Sequence, residues 1–405
     1  MSAVAFLAAL VALLIGLWVG TARERYKLRE GRWIDRRKAR ESPHYIFGLN
    51  FLVSNQVDLA IEELSTAASL DPEALEIHMI LGNLYRERGQ VGRAIHVHQN
   101  LLQRPRLTTV EHAYVLLCLG LDFRRGGFFD RAFETFSEVL QLDPTNRYAL
   151  LNLEKLHEDQ HEWQSAHAIR QRVAALAGDD QQPRNDAILA FLENELGLEA
   201  LKAADDAEAA RRFQSAIQLD ARAVPAYLNL GDVRLREGRD SEAAAAWEKI
   251  IRVAPDRAYL AFERLEAVYL KVEGASRFTD LCRGLIAASP QDWRARLALG
   301  LHLAARGQAG DAIELLFEAL MHNPHGLTIH QAIWRTLTEL DLSPTLVRRY
   351  VDLTRDSVFY LDPHVCMRCR YRSTELLWQC PQCHEWNTFI EERMAAAKGD
   401  EDAPA

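Results

Sequence analysis

The chain has 405 residues, 48% of them apolar and 26% charged, with a formal net charge of −9. Such a composition suits an ordered chain of two or three domains or one long solenoid. The charge is uneven: residues 1–20 carry none, residues 21–40 carry nine Arg/Lys against three acids, and the other 365 residues sum to −15. An acidic body argues against nucleic acid as a partner, because binding nucleic acid requires clustered positive charge.

Residues 3–20 form an uninterrupted run of 18 uncharged, mostly apolar residues. As a helix the run would be about 27 Å long, close to the thickness of a bilayer core. A cleaved signal peptide, with Gly20-Thr21-Ala22 at the cleavage site, is the alternative. That reading wants its basic residues before the apolar run, and here they follow it. The expectation is one spanning helix over 1–20 and a basic juxtamembrane segment over 21–40, which could also touch anionic head groups. The N-terminus then lies outside the cytoplasm and the body within it. Thiols in the cytoplasm stay reduced, so paired cysteines there read as metal ligands before disulfides.

Residues 41–326 repeat themselves about every 34 residues. Windows opening near residues 41, 75, 113, 147, 190, 224, 259 and 293 place Gly48, Gly82, Gly120, Gly197, Gly231 and Gly300 at one position. Ala60, Ala94, Ala132, Ala166, Ala209, Ala243 and Ala312 occupy a second position, and Pro72, Pro144, Pro255, Pro290 and Pro324 close repeats. Glu154, Glu266 and Phe278 break the pattern. It resembles the tetratricopeptide repeat, in which two short helices cross closely at small residues and must stack on neighbours to bury their apolar faces. About eight repeats are expected, with a loop or hinge at residues 178–185 and capping helices over 327–360. Phe136, Trp247, Tyr269 and Trp293 read as core, and Cys118 and Cys282 as buried structural thiols. His96, His98, His157, His161 and His167 read as surface positions, and no nucleophile triad, metalloprotease helix or phosphate-binding loop is present. The array reads as a partner-binding surface and not as an enzyme.

Over 361–392, Cys366-Met-Arg-Cys369 and Cys380-Pro-Gln-Cys383 form two C-x-x-C knuckles with ten residues between the inner cysteines. Four thiolates at this spacing can close a tetrahedral shell around one metal ion, and zinc and iron both suit it. Short strands are expected over 373–379 and 386–389. His364 and His384 read as bystanders or as hydrogen-bond donors behind the ligands, and residues 393–405 as a disordered tail. The second knuckle, with Trp378 two residues before it, resembles the rubredoxin type. There a glycine usually follows each knuckle, whereas Arg370 and His384 stand here, which weakens the electron-transfer reading and leaves metal binding intact; with four cysteines filling the shell, the metal reads as structural.

The expected fold is therefore all-α: a tetratricopeptide-repeat solenoid with an N-terminal transmembrane helix and a small rubredoxin-like ribbon. In that order of parts, and above all in Cys366 to Trp386, the chain resembles the lipopolysaccharide assembly protein B (LapB, or YciM) family along essentially its whole length. The resemblance implies an inner-membrane regulatory adaptor that presents the lipid A pathway deacetylase LpxC to the membrane AAA+ protease FtsH. It also implies that Cys366, Cys369, Cys380 and Cys383 hold the metal, and it leaves homodimerisation open. A general scaffold for envelope assembly and an iron redox protein are the competing expectations.

Overall fold

The structure, a computed structural model, describes residues 42–105, 107–272, 274–354 and 364–392. The expected spanning helix, basic segment and tail lie outside these residues. Among the described residues, no helix is long and apolar enough to cross a membrane.

Among the described residues, eighteen helices follow one another as nine antiparallel pairs: α1 Pro43–Val53 with α2 Val57–Leu70, α3 Leu75–Glu87 with α4 Val91–Leu102, α5 Thr109–Arg125 with α6 Phe129–Leu142, and α7 Arg147–Asp159 with α8 Trp163–Ala175. After these come α9 Gln182–Lys202 with α10 Asp206–Leu219, α11 Val224–Arg236 with α12 Asp240–Val253, α13 Phe262–Val272 with α14 Ala275–Ala288, α15 Trp293–Ala304 with α16 Ala309–His322, and α17 Leu327–Glu339 with α18 Pro344–Thr354. The chain divides into two compact units at Leu176/Ala177. The first holds four helix pairs, and the second holds five together with the ribbon.

Local chemistry sets the boundaries. Thr108 and Glu111 form a reciprocal capping box on α5, and Asn146, Asp205 and Asp292 cap α7, α10 and α15. The turn inside a pair uses a left-handed residue: Gly89, Gly127, Gly238 and Gly307 have φ of 73–77°, and Asn55, His161, Ala204 and Asp341 reach 52–59° at the corresponding places.

One packing rule recurs through both units: each crossing glycine faces the side chain sixteen residues later. A Cβ on Gly120 would lie 2.6 Å from Phe136, and one on Gly231 would lie 2.1 Å from the indole of Trp247. Trp247 is fully buried and donates its Nε1–H to Leu228 O at 3.1 Å. The rule also explains the two breaks. Glu154 sits at the glycine position, and Arg170, sixteen residues on, pairs with it at 2.6 Å with both side chains buried. Glu266 faces the small Cys282 and accepts a hydrogen bond from His302 Nδ1 at 2.6 Å. Phe278 fills its alanine position by packing its ring against Phe262 and His302.

The aromatic core expectations hold, with Phe136, Trp247, Tyr269 and Trp293 all buried. Cys118 and Cys282 are buried too, and burial pushes their thiols up to about 11 and about 12. Two histidine expectations fail. His98 is fully buried, with Nδ1 donating to the buried carboxylate of Asp122 at 2.5 Å, and Asp122 also pairs with Arg86 at 2.8 Å. His167 is likewise buried. Both lie on the inner stripe of a helix, and at His98 the Asp122 carboxylate takes the place of water. The expected loop at 178–185 is mostly helical: a 3-10 turn over Asp179–Gln181 runs into α9, with Pro183 in its first turn, where the missing N–H costs nothing.

Candidate metal centre and its seat on the repeats

The ribbon holds a three-stranded antiparallel sheet in the order β2-β1-β3, from β1 His364–Cys366, β2 Arg372–Ser373 and β3 Phe389–Glu391. The strands expected over 373–379 and 386–389 are replaced by this arrangement, with a lone bridge between Gln379 and Trp386. The reason is an internal symmetry with an offset of fourteen residues. Cys366 N–H donates to Tyr371 O and Arg370 N–H to Cys366 O, just as Cys380 N–H donates to Glu385 O and His384 N–H to Cys380 O. Val365 opposite Arg372 corresponds to Gln379 opposite Trp386. Each half is one hairpin closed by its knuckle, so a strand must flank the knuckle on either side.

Arg370 and His384 both adopt the left-handed conformation, at φ 64° and 55°. The turn that glycine would make is therefore made without it, at a cost of roughly 1–2 kcal/mol per residue. The N–H groups of Arg368 and Cys369 reach the Cys366 sulfur, and those of Gln382 and Cys383 reach Cys380. The missing glycines leave the N–H···S geometry intact, so they give no ground for separating a redox centre from a structural one.

Cys366 and Cys380 are fully buried, and Cys369 and Cys383 are half-buried. The four sulfurs lie within 4.8 Å of one another, with Cys366 and Cys383 at 3.7 Å and Cys369 and Cys380 at 3.5 Å. Sulfurs on a tetrahedral shell of radius 2.3 Å stand about 3.8 Å apart, so the set is able to hold one metal ion. His364 and His384 lie outside it. Burial pushes Cys366 up, but the Thr388 hydroxyl at 3.1 Å and the backbone N–H groups outweigh it and hold this thiol at about 6. Burial, together with hydrogen bonding of its S–H to the neighbouring cysteine sulfurs, pushes Cys383 up to about 12, and burial raises Cys380. A bound cation would supply the charge that lets all four ionise together.

Within the second unit the ribbon lies against the helix pairs. Trp386 stacks on Phe191 of α9, with centroids 5.4 Å apart and planes 17° from parallel, and Trp378 lies 6.3 Å from the same ring. Trp386 and Phe191 are both buried. Arg257, in the 3-10 segment Pro255–Ala261, donates to Asn387 Oδ1 at 2.6 Å and Phe389 O at 3.3 Å, with its guanidinium 5.2 Å from the Trp378 ring. Arg294, at the start of α15, pairs with Glu391, and Arg184 of α9 pairs with Glu385 at 3.2 Å. The cysteine spacing signalled the shell, and nothing in the sequence signalled this seat. Its repeat-side residues are scattered over 110 positions and belong to no motif.

The fold and site define a repeat scaffold carrying a four-thiolate ribbon. The profile described as "Rubredoxin metal binding domain" matches residues 364–391, and that described as "Tetratricopeptide repeat" matches 47–103, 194–270 and 281–323. Lipopolysaccharide assembly protein B of Escherichia coli (strain K12) is 26% identical over 353 residues, 86% of this chain and 89% of that protein. The protein of the same name from Haemophilus influenzae is 25% identical over 363 residues, with the same shares. Among solved structures, the APC/C hetero-tetramer Cut9-Hcn1 is similar at 17% identity and a TM-score of 0.30, over 69% of this chain and 52% of that one. These matches together support the lipopolysaccharide assembly protein B family for this chain.

Proposed function

We propose that this chain is a regulatory adaptor of the cell inner membrane that limits lipopolysaccharide synthesis by promoting FtsH-dependent proteolysis of LpxC. Residues 1–20 span the membrane with the N-terminus periplasmic, residues 21–40 follow as the basic segment, and the body faces the cytoplasm. Cys366, Cys369, Cys380 and Cys383 are the ligands of one structural zinc or iron ion. The repeats over 41–326 and the helices over 327–360 carry the protein-binding surface, with no catalytic residue among them.

The observation that carries this reading is the ribbon seated on α9, the 3-10 segment and α15. A module of about 28 residues cannot bury enough apolar surface to fold alone, so metal and seat together fix its orientation on the repeats. That is the geometry of a recognition surface assembled from two parts. Confinement to the membrane plane raises the effective concentration of such a surface near a membrane protease.

The test is deacetylase turnover in cells whose only copy is Cys380→Ser or lacks residues 1–20. The reading requires LpxC to be stabilised in both. Normal turnover in either variant would reject it. Turnover that stays normal while envelope assembly complexes fall apart would point to a general scaffold.

A further inference from the structure

The ribbon's two halves share a backbone but differ in what they face. In the second half Glu385, Trp386 and Asn387 are taken up by Arg184, Phe191 and Arg257 of the repeats. Their counterparts fourteen residues earlier are Tyr371, Arg372 and Ser373, and the first half turns outward. Met367 and Tyr371 are 55% and 37% exposed, the side chains of Arg368 and Arg372 are 61% and 60% exposed, and Arg370 is exposed. Three guanidinium groups and two apolar side chains thus surround a single tight turn.

Arg370 is the telling member. It holds a left-handed φ of 64°, which glycine adopts freely and which crowds the Cβ of any other residue. Its counterpart His384 is half-buried, whereas Arg370 has no ion-pair partner among the described residues. Backbone strain is thus accepted for a side chain that no described residue pairs with. Arg372 has only a surface pair with Glu392 at 2.9 Å, and Arg368 a longer one with Glu385 at 3.5 Å.

We propose that the first knuckle is a docking finger for an acidic, extended segment of a protein partner, in which carboxylates flank an apolar side chain. The planar fork of arginine matches a carboxylate in two-point geometry, and Met367 and Tyr371 supply adaptable apolar contact beside it. Attraction to an anionic bilayer rests on clusters of about four to eight Lys/Arg, and the finger has three arginines and no lysine. The residues after position 40 sum to −15, so an acidic segment is repelled elsewhere on the body and steered to this knuckle. The proposal rests on the adaptor reading only in taking the partner to be a protein.

The test uses the full chain in nanodiscs of neutral lipid and a short fluorescein-labelled peptide of alternating Glu and Leu, read by anisotropy. Wild type should bind it, lose it with rising salt, and ignore the peptide with Lys in place of Glu. Arg370→Gly relaxes the backbone, so it should keep its metal while binding about threefold more weakly. Arg368→Gln, Arg370→Gln and Arg372→Gln together should weaken binding more than tenfold. Equal binding by wild type and both metal-loaded variants would overturn the proposal. So would capture of anionic vesicles in place of the peptide, or binding seen only once Asp400, Glu401 and Asp402 are neutralised, which would make the chain's own tail the occupant. Failure here leaves LpxC turnover in the Cys380→Ser variant as a separate measure of the adaptor reading.

Discussion

Replacing Phe191 with Ala should unseat the ribbon while leaving both repeats and metal centre folded. The ring is buried, stacked 5.4 Å from Trp386 and 6.3 Å from Trp378, so its removal strips the aromatic floor from the seat. Truncating a buried Phe costs about 3–5 kcal/mol, of which aromatic pairing beyond area accounts for about 0.5–1.5. At about 3 kcal/mol the seated-to-open ratio falls more than a hundredfold. Arg184→Ala is the contrast: its side chain is 65% exposed, and surface pairs contribute about 0–1 kcal/mol. Arg257→Ala should fall between, since it loses two hydrogen bonds and a ring contact from a partly buried position. Hydrogen exchange over 376–389 measures the opening, with circular dichroism and bound metal as controls for folding. Equal opening in Phe191→Ala and Arg184→Ala, or wild-type protection in Phe191→Ala, would refute the claim that aromatic burial holds the ribbon down.

Other consequences can be measured independently. Gly231→Ala should destabilise the second unit by about 1–3 kcal/mol, because Trp247 is hydrogen-bonded and cannot retreat. Gly284→Ala, where a Cβ meets nothing within 4 Å, should stabilise it by up to about 1 kcal/mol, and matching signs in thermal denaturation would break the argument. Zinc binding at pH 7.5 should release at least two protons, since Cys380 is raised and Cys383 stands at about 12 before the metal arrives. Lower pH favours the protonated, metal-free ribbon, so affinity should fall with pH; calorimetry in buffers of different ionisation enthalpy counts the protons. Arg170→Met leaves Glu154 buried without its cation and should cost about 3–5 kcal/mol at pH 8. Burial, partly offset by Arg170, holds Glu154 at about 7, so without that cation the variant's carboxyl rises further. A group raised in the folded state loses stability as pH climbs from its unfolded value, so the variant's deficit should shrink at pH 5.5. A denaturation deficit that does not change with pH would contradict that.

The repeats were legible because their rule is local: small residues recur at fixed spacing wherever two helices cross. Glu154 and Glu266 looked like faults because the compensation, Arg170 or Cys282, sits sixteen residues away on the partner helix. His98 looked exposed because the burial of Asp122 beside it is a tertiary fact. The turns at Asn55, His161 and Ala204 hid for a different reason, since tertiary packing holds a left-handed residue there without glycine to announce it. In the ribbon the cysteines named the donor set, while Thr388 beside Cys366 and Phe191 under Trp386 belong to no spacing.

A solenoid ordinarily couples each repeat only to its neighbours, so it stretches and frays like a loose spring. The ribbon breaks that rule by gripping Arg184 and Phe191 in the fifth helix pair, Arg257 just before the seventh and Arg294 in the eighth. It acts as a clasp across several coils, for which a bound metal ion would be the rivet. Pulled from its ends, that stretch should resist as one block and give way in a single step. With the rivet drawn, the same helices should pay out pair by pair, so the metal governs the stiffness of a scaffold whose helices it never touches.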